Sequence, residues 1–291
     1  MGYWGYRYYS AELGRWLSRD PMGEKSGINY YIFIMNNGLN KNDLLGLIDI
    51  TNIPRIMIAN NFTKGAALMN KWFSAPAGQQ LDDTTTITMD WALNNYPRAK
   101  AVYDSIFQEK IYQNDAAKKV ILKNLRRSNA TNQSKFGYFS WPVHLLEEEH
   151  INFRPVGSLY DPIDDLFAAL GKFRFHVVIS GTVDYIGYSG AMLTLEKVGV
   201  FIVDSYDFND EDGGDQPLGF WNERTNYVGR NPFRGDYVSN SDFREYQQKF
   251  NKGGNFIIFS DLKVTTLNPR EQICIFDMAG AIGGAINTIL K

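Results

Sequence analysis

The sequence predicts an α+β fold, with a helical N-terminal half packed on an antiparallel β-sheet that the C-terminal half forms. Apolar residues recur at helical spacing between residues 65 and 125, which indicates helices that bury one face. Between residues 173 and 203 the pattern changes to alternation, which is typical of strands. Aromatic residues make up 14% of the chain, and this richness favours strands over disorder.

Three segments of the first half have the apolar spacing of helices, namely 65–74, 99–112 and 115–125. We expect Asp115 to cap the last of them. The segment 87–93 follows a run of Asp and Thr, and it is either extended or the start of a helix. A short helix is also predicted over 163–170, because Gly171 would stop it.

Four segments of the second half predict strands, namely 173–183, 192–203, 256–259 and 263–266. In the first of them Phe173, Phe175 and Val177 alternate with Arg174 and His176, which is the period of a strand. The helical part is therefore placed at about 60–150 and the β-rich part at about 160–276.

The charge balance argues against a nucleic-acid target. The formal net charge is −2, of which residues 1–47 contribute +1, so residues 48–291 carry −3. Nucleic-acid binders usually show a basic excess or a basic stripe. The nearest equivalent here has the spacing of a solvated helix face, formed by Lys118, Lys119, Lys123, Arg126 and Arg127.

No targeting segment is evident in the sequence. Residues 1–4 lack the pattern of a signal peptide, and no window reaches 18 uncharged apolar residues. The small apolar stretch at 279–286 belongs to a segment of about 14 residues, which is too short to span a bilayer. We expect a chain that is cytoplasmic in the producing cell and is carried into a target cell by a dedicated secretion system.

Residues 6–47 contain a series of aromatic and turn motifs. In order, these are Tyr6-Arg7-Tyr8-Tyr9, Arg19-Asp20-Pro21-Met22-Gly23, Asn36-Asn37-Gly38 and Asp43-Leu44-Leu45-Gly46-Leu47. Together they resemble the end of the Rhs repeat-associated core, which forms a β-cocoon around a C-terminal toxin. The resemblance implies an Rhs core remnant at 1–47 and a C-terminal toxin or effector domain at 48–291.

The same resemblance implies an autoprotease remnant. In the Rhs family an aspartyl protease releases the toxin after the closing Gly-Leu, and Asp20, Asp43 and Leu47 match the two aspartates and the cut site. A pair of carboxylates that shares a proton suits such a protease. Leu44 replaces the usual proline and the cocoon is missing from this chain, so we expect no self-cleavage. Both aspartates could instead terminate turns.

The densest polar cluster follows the second predicted strand. It begins with Asp204, Tyr206, Asp207 and Asn209, and acidic residues continue to Asp215. Hard oxygen ligands concentrated at a loop suit Mg²⁺ or Ca²⁺. The other interpretation is an acidic surface turn, since the spacing does not fit an EF-hand.

The three histidines are further candidates for a base or a metal ligand. His144 and His150 flank the acidic run 147–149, which could hold a metal, supply a base or form a solvated helix end. His176 lies on a predicted strand among apolar residues, which favours a structural role. The single cysteine, Cys274, excludes an intramolecular disulfide and a Cys/His zinc motif.

Two resemblances concern the region after residue 47. Stretches at 83–93, 164–171, 201–221 and 253–261 are similar to an uncharacterised family of toxin tails found in Rhs and type VI secretion effectors. A second set of motifs is similar to the catalytic half of colicin M, namely Gly181-Thr182, Tyr188-Ser189-Gly190 and Asp204-x-Tyr206-Asp207-x-Asn209.

Colicin M cleaves the lipid–pyrophosphate link of lipid II with Mg²⁺. The resemblance implies that Asp204, Tyr206, Asp207 and Asn209 are catalytic, and that Asp204 and Asp207 hold the Mg²⁺. The His-Arg pair that follows this motif in colicin M has no counterpart in 210–218. This departure leaves the general acid–base partner unassigned.

The resemblances predict an antibacterial Rhs-type toxin that hydrolyses a lipid-linked cell-wall precursor. The alternative is a non-enzymatic toxin that acts by membrane disruption or target binding, with residues 279–291 involved. By family analogy the partners would be a cognate immunity protein and the precursor or membrane of a target bacterium. No nucleic-acid partner is expected.

Overall fold

A computed structural model describes residues 2–4, 7–10, 12, 15–17, 49–79, 81–137, 139–186, 190–209 and 214–276. The chain forms two compact units, each assembled from three separate segments. Unit 1 contains Met1–Leu81, Pro162–Leu170 and Tyr206–Phe256, and unit 2 contains Asp82–Asp161, Gly171–Ser205 and Ile257–Lys291. Residues 18–48 lie outside the described residues, so the boundary at residue 47 stays a prediction.

The helices of the described residues lie mostly in the first half of the chain. They are α1 (Ile53–Ala59), α2 (Thr63–Ser74), α3 (Met89–Asn95), α4 (Pro97–Gln108), α5 (Asp115–Arg127), α6 (Val143–Leu146), α7 (Asp165–Leu170) and α8 (Asn240–Phe250). The helices predicted at 65–74, 115–125 and 163–170 are confirmed, and the helix predicted at 99–112 is α4, which ends earlier, at Gln108. None of the helices in this part of the chain has the length and apolar character needed to cross a membrane.

The strands within the described residues form three sheets. Their bounds are β1 (Gly2–Trp4), β2 (Arg7–Ser10), β3 (Arg15–Trp16), β4 (Leu81–Asp83), β5 (Lys135–Phe136), β6 (Asn152–Val156), β7 (Phe173–Ile186), β8 (Gly190–Tyr206), β9 (Pro217–Asn222), β10 (Tyr227–Gly229), β11 (Asp236–Ser239), β12 (Phe256–Phe259) and β13 (Lys263–Phe276). Two sheets have three strands, in the orders β1-β2-β3 and β10-β9-β11.

The third sheet has seven strands, in the order β4-β12-β8-β7-β5, with β13 also paired to β8 and β6 to β7. β7 runs antiparallel to β5, β6 and β8, and β13 runs antiparallel to β8. The predicted α+β fold is therefore confirmed. The strand predicted at 263–266 is longer than expected, because β13 resumes its pairing after a register shift between Thr266 and Glu271.

The structure corrects the predicted cap of α5 and decides between the two alternatives for the segment 87–93. Asn114, not Asp115, caps α5, since its side-chain oxygen accepts a hydrogen bond from the Ala117 N–H at 2.9 Å. Asn and Asp are equally good caps, so two such neighbours cannot be ranked from sequence. The segment 87–93 proves to enter α3, where the Thr88 hydroxyl accepts from the Trp91 N–H at 3.2 Å.

The predicted solvated face of α5 is confirmed. Ala117, Ile121 and Leu125 of this helix are buried. The basic residues lie at the other positions, where Lys119 and Lys123 are exposed. Their charges therefore stay in water, as expected for the polar face of an amphipathic helix.

The core of unit 2 is built on the long antiparallel pair of β7 and β8. Phe175, Val177 and Ile179 are buried on one face of β7, and Tyr103 of α4 packs edge-on against Phe175 with ring centroids 6.1 Å apart. The other face is covered as well, by a cluster that contains Leu146, Phe139, Val178, Phe201 and Phe259. β7 is therefore a central strand with both faces covered.

The core of unit 1 is aromatic and surrounds Trp72 of α2, which is 1% exposed. The Trp72 ring lies edge-on to Phe208 at 4.8 Å and to Phe243 at 5.5 Å, and Phe208 stacks on Phe243 at 3.9 Å. The indole Nε1 donates to the Asn255 Oδ1 at 3.0 Å. The buried N–H is thus satisfied while the ring fills the core.

The N-terminus of α2 is capped from α7. Asp165 is buried, and its carboxylate accepts hydrogen bonds from the N–H groups of Lys64 at 3.0 Å and Gly65 at 2.8 Å. A Cβ on Gly65 would lie 2.9 Å from the Cβ of Ala168, so glycine permits the two helices to approach this closely. One carboxylate therefore binds two backbone N–H groups of α2 that have no partner within the helix, and it joins segments about a hundred residues apart.

Replacing Gly253 by alanine is expected to destabilise unit 1. Gly253 has a φ of +95°, and a Cβ there would overlap the Trp72 ring. Positive-φ strain and overpacking together should lower the free energy of unfolding by roughly 2–3 kcal/mol. Urea unfolding followed by circular dichroism measures this loss.

The matched control is Gly78→Ala, because Gly78 has a φ of +76° but no atom within 4 Å of an added Cβ. It should lose only about 1 kcal/mol, from the backbone conformation alone. Equal losses in the two variants would show that the contact with Trp72 is unimportant.

Candidate functional site

The predicted catalytic segment begins near the end of β8. Asp204 is half-buried and belongs to unit 2, whereas Tyr206, Asp207 and Asn209 belong to unit 1. The Asp207 carboxylate accepts a hydrogen bond from the Asn209 N–H at 2.9 Å, and Asn209 is exposed. This Asx turn fixes the direction of the Asp207 carboxylate. Residues 210–213, which carry further acidic groups, lie outside the described residues.

Tyr206 is part of the aromatic core of unit 1. The residue is 8% exposed, and its ring stacks on Phe256 with centroids 4.9 Å apart and an interplanar angle of 6°. The hydroxyl donates to the Met69 Sδ at 3.6 Å. A chemical role for Tyr206 would therefore have to act from a buried position.

Asp215, at the far end of the predicted cluster, lies at the N-terminus of α8. Its carboxylate accepts hydrogen bonds from the N–H and the hydroxyl of Ser241, both at 2.9 Å, and Arg244 lies 3.5 Å away. Burial raises the pKa of Asp215, but hydrogen bonds from Ser239 and Ser241 and the charge of Arg244 outweigh it, so the pKa is lowered. The surroundings of Asp215 are therefore those expected of an acidic surface turn.

Asp242 completes the capping box of α8, since its carboxylate accepts from the Ser239 N–H at 2.9 Å. Burial raises the pKa of Asp242 to about 6, and the charges of Glu245 and Asp215 add to the shift. The hydrogen bond from Ser239 opposes it. Sequence reasoning had not singled out this carboxyl group.

A different set of side chains comes together in unit 2. Glu147 opens the 3₁₀ turn Glu147–Glu149 directly after α6, His150 follows this turn, and His176 lies in the middle of β7. The His176 Nδ1 lies 2.6 Å from the Glu147 Oε2, and the two imidazole rings are 4.4 Å apart between centroids. One ligand-type atom from each of the three residues lies within 4.8 Å of the other two.

Hydrogen-bond partners define the proton positions in this cluster. The His150 Nδ1 lies 2.6 Å from the carbonyl oxygen of Glu147, which can only accept, so this Nδ1 donates. The His176 Nδ1 and the Glu147 Oε2 share a proton across their 2.6 Å contact. Because the Nδ1 of His150 is the donor, its Nε2 keeps a lone pair in the neutral ring, as a metal ligand requires.

The cluster is held in place by its surroundings. The ring of His176 lies between its cross-strand partners Phe153 on β6 and Phe201 on β8, at 6.0 and 5.9 Å. From α5, Arg127 donates to the Glu148 carbonyl at 3.2 Å and pairs with the Glu149 carboxylate. The strand therefore fixes His176, and α5 fixes the turn that carries Glu147.

The sequence contained only part of the signal for this cluster. The sequence offers His150 and the acidic run 147–149 as candidates for a metal or a base, and Glu147 and His150 of this set belong to the cluster. The apolar residues around His176 in sequence favour a structural role. What brings it to Glu147 is the packing of α6 over β7, and the alternation along β7 does not reveal this contact.

Several predicted functional residues lie outside the described residues. These are the autoprotease residues Asp20, Asp43 and Leu47, and the segment 279–291. Tyr188 and Ser189 of the colicin M-like motif also lie outside. Their roles stay predictions.

Comparisons with known proteins give one family and two toxin relatives. A sequence profile described as a family of unknown function, DUF6402, matches residues 48–230 and 231–275. The chain is similar to toxin subunit YenC2 of Yersinia entomophaga, with 29% identity over 107 residues, 34% of this chain and 11% of that protein. It is also similar to toxin subunit YenC1 of the same organism, with 44% identity over 45 residues, 16% of this chain and 5% of that protein.

The matches therefore span only a small part of each of these relatives. No solved structure matches the chain.

The raised pKa of Asp242 predicts a pH-dependent stability. Its ordinary value is 3.8 and its folded value is about 6, so between these values the folded state holds the proton more tightly. The stabilisation is fully present below pH 3.8 and is lost as the pH rises through 6. Relative to Asp242→Asn, the wild type should gain about 1 kcal/mol between pH 7.5 and 4.5, allowing for solvent screening.

Urea unfolding at a series of pH values measures this difference. Glu245→Gln is the matched variant, because it removes one charge that raises the pKa of Asp242. It should reduce the pH dependence without abolishing it. Parallel pH profiles for the wild type and Asp242→Asn would contradict the assignment.

Proposed function

We propose that this chain, which belongs to the DUF6402 family of unknown function, carries the effector region of an Rhs-type toxin. The observation that carries this proposal is the similarity to toxin subunits YenC2 and YenC1. The match to the family profile begins at residue 48, next to the boundary predicted at residue 47 from the Rhs-like motifs. This coincidence supports a division between a delivery segment and an effector.

Delivery and partners follow from the same proposal. An effector of this type would be carried into a target bacterium by a dedicated secretion system, and the producing cell would need a cognate immunity protein. Both proposals rest on analogy with Rhs toxins, because the matched relatives share only 11% and 5% of their length with this chain.

For the chemistry, we propose Mg²⁺-dependent hydrolysis of a lipid-linked cell-wall precursor by the segment 204–209. The colicin M-like motif supports this choice, and so does the Asx turn that directs Asp207. Oxygen ligands such as Asp204 and Asp207 suit Mg²⁺. Because Tyr206 is packed against Phe256, we assign it to positioning and assign the polar chemistry to Asp207 and Asn209.

Toxicity of Asp207→Asn tests the enzymatic proposal. The full chain is expressed in a test bacterium, with and without an added export signal, and surviving cells are counted. Exported wild-type chain is expected to kill, and Asp207→Asn should reduce killing by roughly a hundredfold or more, the scale of a lost catalytic group. Accumulation of uncleaved lipid-linked precursor in extracts is the matching chemical readout.

Asp115→Asn is the control, because the Asp115 side chain is 95% exposed at the start of α5. It should kill as the wild type does. Full killing by Asp207→Asn would refute the role of this segment, and killing only from the cytoplasm would refute a wall-precursor target.

A non-enzymatic toxin that disrupts membranes is the second candidate. The observation that favours it is the small apolar segment 279–286. Dye leakage from liposomes by the purified chain, lost on deletion of residues 279–291, is the expected result. In that case Asp207→Asn would remain fully toxic.

A further inference from the structure

We propose that Glu147, His150 and His176 form a binding site for a divalent transition-metal cation, with Zn²⁺ as the best fit. This site is separate from the proposed Mg²⁺ segment at 204–209 and does not depend on it. It is the one group of three metal-type ligand residues that comes together in the described part of the chain.

The donor set selects the class of cation. Two imidazoles and one carboxylate suit Zn²⁺ and neighbouring first-row metals, whereas Mg²⁺ and Ca²⁺ prefer an all-oxygen environment. Three protein ligands also leave coordination positions for water, as in catalytic zinc sites. The ligand set of this cluster therefore differs from that of the acidic segment after β8, where oxygen ligands predominate.

Part of the second shell of such a site is already present. Metal-binding imidazoles usually donate their other ring N–H to a carboxylate or a backbone carbonyl, which fixes the ring and its tautomer. The His150 Nδ1 has the Glu147 carbonyl as partner at 2.6 Å, which leaves the His150 Nε2 available as a ligand. The His176 Nδ1 lies 2.6 Å from the Glu147 carboxylate, so a cation bound by these two atoms would replace the proton that they share.

The site combines one rigid ligand with two adjustable ones. The His176 side chain is 6% exposed, and β6 and β8 hold its ring in place. The Glu147 and His150 side chains are 30% and 33% exposed, which gives a cation access from solvent. Bonds of about 2.0–2.2 Å require ligand atoms within roughly 4 Å of one another, so a small rotation of these two side chains closes the 4.8 Å spread.

The apolar surroundings should strengthen binding. Phe201 is fully buried beside His176, and Phe153 lies on the opposite flank. The buried Phe201 side lowers the local dielectric constant and so raises the strength of the electrostatic attraction, whereas Phe153 is 44% exposed. The two phenylalanines also leave His176 no polar cross-strand partner at these positions.

Zn²⁺ titration of the purified full chain tests the proposal. After dialysis against a chelator, calorimetry in an excess of Mg²⁺, which occupies the proposed 204–209 site, should show one Zn²⁺ per chain with a dissociation constant in the micromolar range or tighter. His150→Ala and Glu147→Gln should each weaken binding at least tenfold. Substitution by Co²⁺ should give an absorption spectrum of nitrogen and oxygen ligation that His150→Ala changes.

Two control variants test whether Zn²⁺ binding is specific to this cluster. His144→Ala removes an exposed histidine three residues before Glu147 and should leave binding unchanged. Asp207→Asn should also bind Zn²⁺ normally, whatever it does to toxicity. Circular dichroism checks that His150→Ala and Glu147→Gln, both at partly exposed positions, remain folded.

The proposal is overturned if the folded chain takes up no stoichiometric Zn²⁺. It is also overturned if His144→Ala weakens binding as much as His150→Ala does. In either case the Glu147–His176 contact is a hydrogen-bonded pair without a metal. The toxicity of Asp207→Asn has no bearing on either result, because Asp207 contributes no ligand to this cluster.

Discussion

The register of β7 between β6 and β8 is the constraint on which the geometry of unit 2 depends. It places His176 opposite Phe153 on one side and opposite Phe201 on the other. Side chains alternate along a strand, so a slip by one residue would turn His176 to the opposite face and replace it with an apolar neighbour. The imidazole reaches Glu147 only because this pairing is fixed. The hydrophobic residues that bury both faces of β7 therefore also position the polar cluster.

Unit 1 shows the same dependence of polar groups on packing. Tyr206 and Phe208 are buried in the aromatic core, whereas Ser205 and Asn209 are exposed and Asp207 is half-buried. The alternation places the core residues on one side of this segment and the polar ones on the other. Aromatic packing around Trp72 thus sets the direction in which Asp207 and Asn209 can act.

Much of the fold could be predicted because single segments carried enough periodicity. The helices α2, α4 and α5 each have an apolar stripe, and β7 and β8 are long and rich in β-branched residues. In the short strands β9, β10 and β11, Pro, Gly, Asp or Ser interrupt the apolar residues, whereas β12, which is equally short, is apolar throughout. α8 has a strong capping box, but Ser239 and Asp242 follow an irregular polar stretch that conceals it.

The candidate sites were harder to predict than the elements. The acidic segment was visible because its residues are adjacent in sequence. The cluster around Glu147 could not be predicted, because His176 lies on a different element from Glu147. Their contact depends on the register of β7 and on the residues that pack over this strand, and neither can be read from the sequence.

The interleaving of the two units has a consequence for how the chain is made. Neither unit is complete until its third segment has been synthesised, which is near residue 256 for unit 1 and after residue 257 for unit 2. A nascent chain on the ribosome would hold β7 and β8 for some time without β12 and β13. Unpaired strand edges of that kind are prone to aggregate, and chaperones protect them. Folding of both units is therefore expected to be completed after most of the chain has been synthesised, not segment by segment.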